Sequence, residues 1–204
     1  MSIYKKKINM TDSANKKTKV VIITGPPYSG KGTQCKFLVN RLGYKHISTG
    51  ELIRAEDENK TEMGLRMAVF ADNGQLVPDD LMKALFDSAI VNNINEEGII
   101  LDGYPRTVPQ VRDLIEVMSK RELKINQVLN IEVPKEELLV RAKKRAEDSD
   151  RIDDKDPQTH LRRLKVFEEE TKPAIKLMKE EYEVLTFDGL GSIEKVRDLI
   201  KASF

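Results

Sequence analysis

One ten-residue stretch, GPPYSGKGTQ from Gly25 to Gln34, restricts the fold more than any other part of the chain. It follows a β-branched apolar run, Val20-Val21-Ile22-Ile23, and precedes a segment in which Phe37, Leu38, Val39 and Leu42 are apolar. A short apolar run closed by Gly-Pro-Pro predicts a buried strand ending in a tight turn. The periodic segment after it predicts a helix that stops near Gly43. Strand, glycine-bearing loop and a helix opening on Gly-Lys make a cradle for phosphate. Amides of the loop and of the first helical turn have no partner inside the helix. An anion satisfies them, and the helix dipole favours its charge. Lys31 adds a point charge that reaches the outer phosphates of a nucleotide. Two positions depart from the usual pattern. Gly32 follows the lysine, so the hydroxyl comes one step later, at Thr33. Tyr28 stands mid-loop, where close backbone approach favours a small residue; a positive φ there would cost about 1–2 kcal/mol. A negative φ with the ring turned outward is therefore expected.

With 204 residues the chain can bury one full core. Lys+Arg 35 against Asp+Glu 34 leaves no global field to attract nucleic acid or a membrane surface, so functional cations must cluster locally. One cysteine excludes an internal disulfide and a cysteine-based zinc site, and suits a reducing, cytoplasmic compartment. No apolar run approaches the length of a membrane span. Residues 1–18 are polar and lysine-rich, read as a flexible basic leader or, alternatively, a targeting or surface-binding arm. A mitochondrial presequence is disfavoured, because the stretch has no Arg and is interrupted by Asp12.

Beyond the loop helix, Tyr44–Ile47 predicts a second strand, with Ser48 or Thr49 capping a helix that carries Arg54. A helix over 61–73 stops at Asn73-Gly74, and Pro78-Asp79-Asp80 opens another. Ile99-Ile100-Leu101 predicts a buried strand with Asp102 at its C-terminal end, where open parallel sheets bind ligands. A carboxylate there can hold Mg²⁺ through its waters; a capping aspartate is the alternative. Gly103 to Pro105 turns the chain and leaves Arg106 over the same edge. A helix follows from Val108, then a strand over 127–133. The next helix, opened by Pro134, places Arg141, Lys144 and Arg145 on one face. AEDSDRIDDKDP breaks the periodicity and has the composition of a mobile loop, with Arg151 beside Asp153 and Asp154. A long helix over 158–181, bent or interrupted by Pro173, a strand over 182–187 and a helix capped by Ser192 complete the chain. Five strands alternating with helices predict an α/β fold, an open parallel sheet with helices on both faces. His46 and His160 look isolated from each other and from any acid pair, hence structural. Cys35 reads as a small buried hydrophobe.

In order, GPPYSGKGTQ, HISTGELIR, GQLVP, LDGYPRTVPQ and the arginines around RIDD resemble the nucleoside monophosphate kinases, most closely the short-lid adenylate kinases. The resemblance runs from about Lys19 to Ile200. It implies a P-loop NTPase fold over 19–204, with a nucleotide-binding flap at 49–77 and a short lid at 147–157. It further implies reversible, Mg²⁺-dependent transfer of a phosphoryl group from ATP to AMP, giving two ADP. Gly25, Pro26, Pro27, Tyr28, Ser29, Gly30, Lys31, Gly32 and Thr33 would hold ATP, with Arg141 and Gly191 at its base. Thr49, Gly50, Arg54, Val77, Gly103, Arg106 and Gln110 would hold AMP. Lys31, Arg145, Arg151 and Arg163 would act on the transferring group, and Asp102 would position Mg²⁺ through water. The short lid implies no zinc, and the pattern implies a monomer.

Tyr28 replaces the family's loop glycine, Asp150 replaces a usual glycine before Arg151, and DDKDP is one residue longer than the short-lid pattern. The extra residue shifts the register at Arg162 and Arg163; counting back from Thr171 and Pro173 selects Arg163. Thr49 and Gln110 favour AMP over the UMP and CMP taken by relatives with Ala and Asn there. A UMP/CMP kinase, a nucleotide-binding protein without turnover and a P-loop motor are the competing readings. The last is disfavoured because the chain has no room for a coupling domain.

Overall fold

The computed structural model describes residues 18–148 and 152–204. The leader up to residue 17, Asp150 and Arg151 lie outside the described residues. Thr18, counted with the leader on sequence, belongs to the fold: it is buried and its hydroxyl donates to Glu96 O at 2.9 Å.

The apolar runs become five strands, β1 (Lys19–Thr24), β2 (Lys45–Ser48), β3 (Gly98–Asp102), β4 (Lys124–Glu132) and β5 (Val184–Asp188). They form one sheet in the order β2-β3-β1-β4-β5, each neighbouring pair parallel. Central β1 feeds two cores at once, because successive side chains point to opposite faces. Val20 and Ile22 pack into one core with Phe86, Leu114 and Met178. Val21 and Ile23 pack into the other with Leu38, Leu164 and Ile200. A sheet buried on both faces explains why the strands are continuously apolar rather than alternating.

The helices are α1 (Lys31–Leu42), α2 (Thr49–Glu58), α3 (Glu62–Ala71), α4 (Asp79–Asn93), α5 (Val108–Lys120), α6 (Lys135–Asp148), α7 (Ile152–Lys155), α8 (Pro157–Val166), α9 (Lys172–Glu181) and α10 (Ile193–Lys201). α1 ends at Gly43 in the left-handed region, as its sequence predicts. The interruption expected at Pro173 is a π-helical turn, Phe167–Thr171, between α8 and α9. Pro173 has no N–H to give the preceding turn, and the wider turn absorbs the missing bond.

Two local expectations fail. Ser48 makes no capping bond and Thr49 is not a cap: its hydroxyl donates to Gly103 O at 3.0 Å. The stretch read as an aperiodic loop is largely helical among its described residues, because α6 runs on to Asp148 and α7 forms one turn. Asp156 then caps α8, accepting from Gln158 N at 3.0 Å and Thr159 N at 3.1 Å.

Candidate active site

The phosphate loop leaves β1 through Gly25, whose φ of 139° belongs to glycine, and a Cβ there would sit 2.4 Å from Ile131 O. Lys31, at the first position of α1, curls back: Nζ donates to Gly25 O at 2.9 Å and Pro26 O at 2.7 Å. Desolvation in this collar pushes its pKa down to about 8, against the pull of Asp102.

Tyr28 overturns the expectation for the loop. Its φ is 68°, not negative, and its ring is not turned outward. The hydroxyl meets His160 Nδ1 at 2.5 Å and accepts from Arg163 Nη1 at 3.2 Å. The Arg145 guanidinium lies 5.9 Å from the ring centroid. The backbone cost of about 1–2 kcal/mol is therefore borne and offset by these contacts.

At the end of β3, Asp102 faces the loop. Burial pushes its carboxyl up, but the His46 hydrogen bond and the Lys31 charge outweigh this and hold it below its ordinary value. His46 is thus not isolated: Nε2 lies 3.3 Å from Asp102 Oδ2, and Nδ1 lies 3.9 Å from Glu51 Oε2. Cys35, fully buried beneath the loop, completes a cluster with His46 and Asp102 whose donor atoms lie within 4.8 Å of one another. Burial pushes its thiol far up.

Gly103 turns the chain at φ 83°; a Cβ would sit 2.5 Å from Arg106 Nη2 and 2.6 Å from Thr49 Oγ1. Arg106 Nε donates to Gly103 O at 2.6 Å. Gln110 is buried, accepting from Arg106 N at 2.8 Å and donating to Asp79 Oδ1 at 2.7 Å. One amide hydrogen and one lone pair of Gln110 remain for a base. Val77 lies buried beside it, and Arg54 lies over Gly50.

On the far wall, Asp154 is fully buried and accepts from Arg145 Nε at 2.7 Å and Arg163 Nη1 at 2.8 Å. Arg162, by contrast, bonds Asn73 O at the end of the α3 turn. Arg141 reaches Gly189 O at 2.9 Å and Ser29 O at 3.4 Å, tying the loop to the turn before α10 that includes Gly191.

Lys31, Arg54, Arg106, Arg145 and Arg163 thus line one cleft of about 530 Å³ around Asp102. Most of the candidate ATP and AMP residues line it too. Pro26, Ser29, Arg141 and Gly191 do not line it. A larger groove of about 1010 Å³ opens behind Pro26, walled by Leu138, Leu161, Ile175 and lysine stems. Sequence reasoning missed His46, Asp154 and His160. Only His46 had a usable signal, its place on the strand beside Asp102.

A phosphate loop at the edge of a parallel sheet, faced by a ring of cations, defines a P-loop nucleotide kinase. The adenylate kinase profile matches residues 23–183. The adenylate kinase of Bacteroides thetaiotaomicron is 39% identical over 176 residues, 86% of this chain and 93% of that one. Those of Porphyromonas gingivalis and Mycobacterium marinum are each 40% identical over 176 residues, covering 86% of this chain and 90% and 93% of theirs. The chain belongs to the adenylate kinase family.

Proposed function

We propose that the chain transfers the terminal phosphoryl group of ATP to AMP, reversibly and with Mg²⁺, giving two ADP. The observation that carries this reading is the meeting of Lys31, Arg54, Arg106, Arg145 and Arg163 in one cleft around Asp102. In such a transfer the migrating group is loose and its negative charge is spread over three oxygens, so little proton chemistry is required. Catalysis is then positioning and preorganised charge. Loop amides and Lys31 take the donor phosphates, and Arg54 and Arg106 take the acceptor phosphate. Arg145, Arg163 and Arg151 close on the group in transit.

Asp102 suits a hard cation: it is an ionised oxygen ligand opposite the phosphate loop, and its His46 partner is a poor ligand for Mg²⁺. Bound there through water, Mg²⁺ would neutralise charge building on the phosphates. Water must be kept out, or ATP would be hydrolysed. The flap (49–77) and lid (147–157) are the segments we assign to closure. Every group invoked comes from one chain, which supports action as a monomer.

The choice of AMP rests on Thr49 and Gln110, both buried at the acceptor end. The purified protein is mixed with ATP-Mg²⁺ and each of AMP, UMP, CMP, GMP and dAMP, and the diphosphates are followed. ADP from AMP alone is expected. UDP or CDP formation would transfer the assignment to a pyrimidine kinase, and ATP binding without transfer would remove catalysis.

A further inference from the structure

We propose that Tyr28 is a positioning residue, a strut from the phosphate loop to α8 that holds Arg163 and Arg145 over the phosphate cradle before substrate arrives. This rests on the reading of those arginines as the groups that act on the transferring phosphoryl.

The backbone is the first observation. Tyr28 keeps a φ of 68°, a conformation a glycine adopts freely and a tyrosine does not. Such outliers persist where the surroundings over-determine them, and they gather at functional sites. The side chain supplies the second. Its hydroxyl oxygen accepts from Arg163 Nη1 at 3.2 Å, which leaves its own proton for His160 Nδ1 at 2.5 Å. A relay from guanidinium to hydroxyl to imidazole uses each group once. The tip is anchored as firmly as the base: His160 is buried on α8, and its ring meets the tyrosine edge-on, at 5.2 Å and 75°. The same ring lies 5.9 Å from the Arg145 guanidinium. One side chain therefore touches both arginines, while its own backbone is part of the loop that cradles phosphate.

The chemistry of the contact sets its role. A neutral hydroxyl orients a guanidinium without neutralising it, whereas a carboxylate would do both. A glycine at position 28 would keep the loop's shape and lose the strut. Holding charge at a fixed place is what lowers the cost of reorganisation at the moment of transfer.

The test compares Tyr28→Phe and Tyr28→Gly in the full chain and Tyr28→Phe in an Arg163→Lys background, with steady-state kinetics and thermal melting. Tyr28→Phe is expected to lower kcat about tenfold, the loss of one hydrogen bond to a charged group, with the ATP KM changed less than about twofold. Tyr28→Gly is expected to lower kcat at least as far while raising Tm, because glycine relieves the backbone. In the Arg163→Lys background, Tyr28→Phe is expected to add less than about twofold, since coupled partners are not additive. A Tyr28→Phe kcat that is unchanged or raised overturns the strut, as does an equal loss in both backgrounds. If Arg163→Lys alone leaves kcat unchanged, the reading of the arginine fails and the strut with it. If Arg163→Lys is crippling and Tyr28→Phe silent, only the strut falls.

Discussion

At the phosphate loop Lys31 rests on the neutral carbonyls of Gly25 and Pro26, whereas across the cleft Arg145 and Arg163 rest on the buried carboxylate of Asp154. The two walls carry the same sign of charge and hold it by different means. A phosphate that displaces two carbonyls gives Lys31 a full counter-charge it lacked. A phosphate approaching the arginines meets charges that already have one. The arginines can keep Asp154 through one nitrogen while turning others to the ligand, because a guanidinium carries five donors. Lysine has no such division of labour. The loop wall is thus built to exchange partners and the far wall to share them.

Four measurements break or sharpen this contrast. The largest effect belongs to Arg145→Met, which should reduce kcat by about 10³-fold or more with the fold intact by circular dichroism, as expected for an arginine acting on a transferring phosphoryl. A loss below about tenfold would take Arg145 out of the mechanism. Asp154→Asn should lower kcat about tenfold and stability by about 1–3 kcal/mol in urea melts, since it weakens two charge-assisted bonds at a buried site. A rise in turnover would instead make Asp154 a brake, and the far wall would no longer share.

The third concerns pH. Lys31 of the free protein titrates near pH 8, and a bound phosphate restores its charge. Affinity for ATP should be level below pH 8 and weaken above it by about tenfold per unit, with proton uptake on binding visible by calorimetry. Lys31→Arg should flatten that slope. The linkage to folding has the opposite sense. Because the folded pKa lies below that of the unfolded chain, stability should rise as pH climbs from about 8 to 10.5. The smallest effect is Arg162→Ala, which removes an exposed bond to Asn73 O and should change kcat by less than about threefold. An Arg162→Ala loss matching that of Arg163→Met would reverse the assignment of the two neighbours.

Much of the fold was legible because burial on both faces of a parallel sheet leaves a mark in composition. Val20 to Ile23 and Ile99 to Leu101 could hardly be anything but inner strands, and Gly43 and Pro173 marked their breaks. The loop, Asp102 and the arginines were legible as chemistry, since phosphate recognition demands those residue types near strand ends. Orientation was not legible. Asp154 sits among several acids in AEDSDRIDDKDP, and nothing in that string says which one is buried. His160 meets Tyr28 only because α8 packs against the loop, a contact spanning 132 residues. Tyr28 itself was read by local cost alone, and tertiary contacts outweighed that cost.

Cys35 offers a practical consequence. It is the chain's one cysteine, wholly enclosed between the phosphate loop and the sheet, with its thiol kept protonated by its surroundings. A sulfhydryl reagent can reach it only when that enclosure opens, so a single labelling rate times the opening of the nucleotide site's floor. Saturating nucleotide should lengthen that clock, with no reporter group added to the molecule.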